Sequence, residues 1–151
     1  TGHLATAARC IHELKALVGA RVVHANAAAA LVPNAYQQEY DLRLNNDVHT
    51  NGHVQWYYFS VSNITEGMTV KMNLVNMGKP DSMYNYGMQP VVYSEQEAER
   101  DDIGWQRRGT NACYYQNHIK RRSSFYYTLS FQLSFQHADD VVYLVRPPTA
   151  Q

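Results

Sequence analysis

The sequence is short of cysteine, of net charge and of long apolar runs, and each shortage excludes something. Cys10 and Cys113 are the only cysteines, too few and too unevenly spaced for a disulfide-built secreted domain. Two unpaired thiols in a reducing compartment are the expectation. Thirteen Lys plus Arg balance thirteen Asp plus Glu, for a formal net charge of zero. Nucleic-acid binders carry a basic excess, so nucleic acid is not an expected partner. No apolar run nears the ~20 residues that cross a bilayer, and the N-terminal stretch has no signal-peptide core. A membrane is therefore not expected as a partner either. The chain opens on Thr1-Gly2-His3 without an initiator methionine and reads as a piece of a longer protein.

Catalytic signatures are missing too. Neither His-x-x-Glu nor His-Glu-x-x-His occurs, and there is no Gly-x-Ser-x-Gly elbow or glycine-rich phosphate loop. Seven histidines raise the metal question. Asp47, His49 and His53 crowd one turn, but the adjoining Asn51-Gly52 is hairpin chemistry and explains the turn more simply. A hydrolytic zinc site needs three fixed ligands, an open position and a base. His137, Asp139 and Asp140 are a similar false lead at a strand entrance. Glu95, Glu97, Glu99, Asp101 and Asp102 form an acidic run ahead of Arg107 and Arg108, which reads as a solvated face or turn. No catalytic, cofactor or metal residue is assigned to this chain.

Tyrosine is plentiful, with 12 residues, and suits half-buried pleated surfaces. A length of 151 residues fits one domain with a real core. Leu4, Ala7, Ala8, Ile11, Leu14 and Leu17 recur at helical spacing and predict an N-terminal helix. It stops at Gly19 or runs on through the Ala27 to Ala30 stretch to Pro33. Beyond Pro33 the period is two. Tyr40, Leu42 and Leu44 alternate with polar residues, as do Val70, Met72 and Leu74. From Phe125 to Phe135 the odd positions face a dry side and Tyr126 to Gln136 a wet one, the pattern of an antiparallel sheet. Val54 to Val61 carries large aromatics on both faces and reads as a strand covered on both sides. Trp105 to Gly109 and Tyr114-Tyr115 read as two short strands joined by a tight turn. The fold class is all-β, an antiparallel β-sandwich with an N-terminal α-helix. Residues 1–35 form the helical segment, 36–146 the sandwich and 147–151 the start of a linker. The expected core includes Trp56, Phe59, Leu74, Leu129, Phe131 and Leu133.

The stretch from Asn76 to Ser94 is the most specific in the chain. Lys79-Pro80-Asp81-Ser82 is turn chemistry, and Gly87 and Pro90 bracket a bend before Val91-Val92-Tyr93. Long ordered loops in compact domains are usually working surfaces. Asn76, Lys79, Tyr84, Tyr86, Gly87, Met88 and Pro90 are candidates for docking another domain. The alternative is a loop folded back on its own sandwich. Lys120, Arg121 and Arg122 form the sole basic cluster, either plain surface or an anion contact.

Several motifs in order carry a resemblance. Asp47…Gly52-His53-x-Gln55-Trp56-Tyr57-Tyr58-Phe59 resembles the opening signature of the N-terminal domain of the cytosolic carboxypeptidases, zinc enzymes that trim glutamates from tubulin tails. Asn76-x-x-Lys79-x-x-Ser82-x-Tyr84-x-x-Gly87-Met88-x-Pro90-x-x-Tyr93-Ser94 is similar to that domain's second signature. Gly104-Trp105-x-Arg107-x-Gly109, Tyr114-Tyr115-x-Asn117, Tyr127-x-Leu129-x-Phe131 and His137-x-Asp139-Asp140-x-x-Tyr143 follow at matching spacing. The likeness spans Tyr40 to Val145 and is nearest to the family's neuronal branch. It implies an antiparallel sandwich placed before a catalytic domain that holds the zinc, so that no zinc ligand falls on this chain. The implied partners are that catalytic domain and tubulin tails, in the cytoplasm with microtubules or cilia in reach. Where the family usually continues Pro-Tyr-Thr-Tyr into the catalytic domain, this chain reads Arg146-Pro147-Pro148-Thr149-Ala150-Gln151, so either the chain stops within that link or the link has diverged. The other class of function left open is a stand-alone module whose tyrosines grip a peptide or carbohydrate.

Overall fold

The computed structural model describes residues 14–18, 20–27, 38–46, 49–50, 52, 54, 56–62 and 64–147, the first two stretches by backbone alone. Strands dominate. They are β1 (Leu14–Val18), β2 (Ala20–Ala27), β3 (Gln38–Leu44), β4 (Tyr58–Val61), β5 (Thr69–Met77), β6 (Val91–Ser94), β7 (Gln106–Arg107), β8 (Thr110–Arg121), β9 (Ser124–Ser134) and β10 (Val142–Val145). One sheet has the order β1-β4-β10-β6-β7 and the other β2-β3-β5-β9-β8. The expected all-β sandwich is what forms.

The core lies between the sheets and follows the period of two. Tyr40, Leu42 and Leu44 on β3 meet Val70, Met72 and Leu74 on β5, then Leu129, Phe131 and Leu133 on β9. From the opposite sheet come Phe59, Val61, Val92, Val142 and Leu144. All are buried, and burying side chains of this size contributes about 1.5–3 kcal/mol each.

Several expectations are corrected. Residues 14–17, assigned to a helix by their spacing, lie in β1, antiparallel to β4, and the Ala27 end of the proposed extension lies in β2 beside β3. Pairing with an open sheet edge outweighs a helical period that is also compatible with a strand. Residues 4–13, 19 and 28–33 of that prediction lie outside the described residues. The sheets are not wholly antiparallel, because β3 and β5 pair in parallel. The chain leaves for the other sheet through β4 and returns, so β3 and β5 point the same way without a helical crossover.

Trp56 is not core. It lies ahead of β4, is 52% exposed, and takes the Arg146 guanidinium over its ring at 5.2 Å. Its neighbour Tyr57 is the buried aromatic. The residues from Trp105 to Tyr115 do not make a hairpin, since β7 joins β6 in one sheet while β8 joins β9 in the other. Phe125 is exposed, and the wet face of β9 is partly dry, with Thr128 and Ser130 buried under hydrogen-bonded neighbours. The acidic run folds into α1 (Glu95–Asp101).

Phe131 is fully buried at the centre of β9. Phe131→Ala is expected to cost about 3–5 kcal/mol in chemical denaturation, whereas Trp56→Ala costs under about 1 kcal/mol. Equal losses would contradict the packing.

Candidate functional site

The Asn76 to Ser94 segment starts as strand, leaves one sheet and ends as strand in the other, so it covers one end of the sandwich. Backbone polar groups released at such a departure need new partners. Asn76 supplies them with its side chain. Its Oδ1 accepts from the Leu44 amide at 2.8 Å and its Nδ2 donates to the Leu44 carbonyl at 2.7 Å, continuing the β3–β5 ladder one step past Leu42↔Leu74. Asn117 works on the other side of β5, donating to the Val75 carbonyl at 2.7 Å where the register shifts.

The loop then turns on its own caps. Ser82 accepts from the Tyr84 amide and caps a 3₁₀ turn, Met83–Tyr86, that Gly87 ends at φ +92. Only glycine adopts that conformation freely. Asn85 plugs the edge of β8, accepting from the Tyr114 amide at 3.0 Å and donating to the Tyr114 carbonyl at 3.1 Å. Tyr114 donates its hydroxyl back to the Lys79 carbonyl at 2.6 Å. Tyr84 points inward, its hydroxyl 2.5 Å from that of Tyr57. Gln89 donates to the Gly109 carbonyl at 2.8 Å, and Pro90 is fully buried.

The docking candidates therefore divide. Asn76, Tyr84 and Pro90 are buried within their own sandwich, and Met88 packs partly against its core. Lys79, Tyr86 and Gly87 are exposed. Met83 was not singled out from the sequence, yet it is 57% exposed, and Tyr86 is 72% exposed. In a 3₁₀ turn residues three apart eclipse, so Met83 and Tyr86 form one apolar ridge. Beside it a cavity of about 120 Å³ is lined by Lys79, Met83, Tyr84, Met88 and Arg146 among others. Arg146 follows β10 directly and holds its guanidinium over the Trp56 ring, so the ridge adjoins the point where the chain leaves β10. A signal for Met83 was present in the Ser82-to-Gly87 capping frame, which fixes a single turn and exposes its first and fourth positions.

The basic cluster also divides. Arg121 spends its guanidinium on the Gly78 and Gly52 carbonyls at 2.9 and 3.2 Å and rests on the Tyr126 ring. Gly78 permits this, since a Cβ there would fall 2.6 Å from the guanidinium. Lys120 and Arg122 are exposed, with Arg122 in the hairpin turn at φ +51. Of the three cations, Arg121 is thus committed to backbone carbonyls within the domain.

The acidic run is likewise used structurally. Ser94 caps α1 by accepting from the Glu97 amide and donates to buried Asp140, which accepts from the Gln96 amide at 3.1 Å. Glu97 is buried against Arg108 at 2.5 Å. Asp47 and His53 lie outside the described residues; among those described, no group of His, Cys, Asp and Glu could hold a metal. Cys113 is an exposed free thiol, and Cys10 lies outside the described residues.

Burial pushes the Tyr84 phenol up from 10.0 to about 12, and burial together with the neighbouring Tyr84 pushes Tyr57 up as well. Their raised values mean that the folded state holds these protons more tightly than the unfolded chain does. That stability is fully present below pH 10 and drains as pH rises toward 12. The slope of unfolding free energy against pH over that window is expected to be shallower in Tyr57→Phe/Tyr84→Phe. Asn76→Ala, which strips both partners from buried Leu44, is expected to lose about 2–4 kcal/mol by denaturation at neutral pH.

Comparison with known proteins gives a consistent result. The profile of the family described as cytosolic carboxypeptidase N-terminal domain matches residues 20–146, a span that includes β2. The chain is 45% identical over 115 residues to cytosolic carboxypeptidase 1 of Gallus gallus, covering 71% of this chain and 9% of that protein. It is 44% identical over 115 residues to cytosolic carboxypeptidase 1 of Homo sapiens, covering 71% of this chain and 9% of that protein. Against cytosolic carboxypeptidase 4 of Homo sapiens it is 42% identical over 114 residues, 70% of this chain and 10% of that protein. The chain thus spans about a tenth of the length of these relatives.

Proposed function

Because the chain belongs to the cytosolic carboxypeptidase N-terminal domain family, we propose that it is the non-catalytic accessory sandwich of a zinc carboxypeptidase that removes glutamates from tubulin C-terminal tails in the cytoplasm. In this reading it buttresses the catalytic domain and helps shape access to it. The zinc, the base and the substrate-binding groups belong to that other domain.

The observation that supports the reading is the apolar ridge of Met83 and Tyr86 beside Arg146, on a loop whose Tyr84, Asn85 and Gln89 are committed to internal bonds. Interfaces between domains of one chain combine such apolar anchors with polar neighbours. Lys79 and Arg146 supply the polar part here. Docking is thus carried by the outward residues of the loop, while Asn76, Tyr84, Gly87 and Pro90 hold their support in shape.

Met83→Ala/Tyr86→Ala is expected to leave the melting of the 151-residue chain unchanged within about 0.5 kcal/mol. In the longer protein the same pair is expected to lower melting and weaken a chelator-sensitive release of C-terminal glutamate. Unchanged behaviour there would remove this surface from the interface. Activity in the 151-residue chain itself would refute the non-catalytic assignment.

A further inference from the structure

Alternation that sends Phe59, Val92 and Leu144 into the core sends Tyr58, Tyr93 and Tyr143 to the opposite face of their sheet. Tyr143 sits directly across from Tyr93, and Tyr58 lies one strand away on β4. Trp105, which precedes β7, leans over them and is 48% exposed. Ring centroids are 5.3 Å apart for Tyr93–Trp105, 6.2 Å for Tyr58–Tyr143 and for Tyr93–Tyr143, and 6.4 Å for Tyr58–Trp105. Tyr58 and Tyr143 are nearly parallel at 19°, while Tyr93 and Trp105 tilt to them and make a wall. The trough they floor measures about 650 Å³ and is rimmed by Glu95 and Glu99 of α1. The Tyr143 hydroxyl donates to Glu95 Oε1 at 2.7 Å, which fixes that carboxylate at the rim and leaves its second oxygen for a ligand. This trough shares no lining residue with the cavity at Met83.

Four aromatic rings beneath two carboxylates complement an organic cation rather than an apolar or anionic group. The shape narrows the class. A guanidinium is flat and weakly hydrated, so it can stack on the rings while its edge N–H groups reach Glu95 and Glu99. An ammonium is compact and strongly hydrated, and a quaternary ammonium has no N–H for the rim. We propose that the outer face of this sheet binds an arginine side chain presented by a peptide segment of a partner protein. This goes beyond the accessory role and uses a different surface.

The two tryptophans, Trp56 and Trp105, make the test internally controlled. In the chain labelled with 5-fluorotryptophan, acetyl-glycyl-arginyl-glycine amide is titrated and both fluorine resonances are followed by NMR. The Trp105 resonance is expected to shift saturably with a roughly millimolar dissociation constant while that of Trp56 stays. The lysine peptide is expected to bind about threefold or more weakly, the neutral citrulline peptide not measurably. Glu99→Gln, on an exposed position, should weaken the arginine peptide about fivefold without changing the melting curve. Equal binding of citrulline, or an unaffected Glu99→Gln, would make the trough a neutral apolar surface and overturn the proposal. Equal binding of the lysine peptide would overturn the guanidinium assignment. A shift of Trp56 alone, no shift at all, or a Trp105 shift caused only by an oligosaccharide would reject the site.

Discussion

The structure depends on what replaces backbone hydrogen bonds where β5 breaks away from its sheet. A buried amide or carbonyl left without a partner costs about 1–3 kcal/mol, and a strand that departs strands several at once. Three asparagine amides resolve this. Asn76 completes the ladder toward Leu44, Asn117 bonds the Val75 carbonyl at the bulge, and Asn85 closes the β8 edge at Tyr114. A primary amide carries one acceptor and a two-proton donor in the same plane, so it can stand in for a peptide group. Aspartate or leucine of similar size cannot. Because these bonds hold the loop where it leaves β5 and again at Asn85 inside the 3₁₀ turn, that turn has a defined place.

A second knot holds the far end of the same crossing. Glu97 is buried, so its charge needs a partner, and Arg108 meets it while donating the backbone amide of the same residue to the Pro90 carbonyl. Asp140, buried beside it, ties the start of α1 to the approach to β10. Breaking a buried pair by removing one member costs more than the pair contributes, because the remaining charge is stranded. The knot therefore acts as a constraint on register between β6, α1 and β10 more than as a source of net stability. That register in turn puts Tyr93 across from Tyr143.

How much of this was legible in the sequence varies with the kind of signal. The alternations at Tyr40–Leu44, Val70–Leu74 and 127–133 gave the right faces, because a one-residue slip would turn every side chain around. Trp56 misled because size and aromaticity say that a ring wants cover, and a cation–π contact with Arg146 ninety positions later provides it at the surface. The parallel β3–β5 pair has no local signature, being a consequence of β4 crossing to the other sheet. The α1 helix was written in Ser94-x-x-Glu97, with acidic residues in its first turn and Arg100 in its last, a capping pattern that a charge-run reading passes over. Of the seven residues put forward for docking, Asn76, Tyr84 and Pro90 were noticed for good reason, but their specificity is used inside the domain. Specific chemistry in a loop shows that the loop is held.

That distinction gives the proposed accessory role a physical basis. Binding surfaces lose affinity to the side-chain and loop freedom they surrender on contact. Here the surrender has already occurred in folding: Ser82 and Gly87 fix the turn, Asn85 fixes its position on β8, and Tyr84 anchors it to Tyr57 beneath. Met83 and Tyr86 are then two apolar groups on a rigid mount, so most of the area they lose to a partner counts toward association. The aromatic face follows the same rule by other means, because a pleated sheet sets ring spacing and Tyr143 pins Glu95 at the rim. The domain thus holds two sets of exposed aromatic and apolar groups on rigid mounts, one at its end and one on its outer face. Each depends on a polar knot that the chain builds for its own folding.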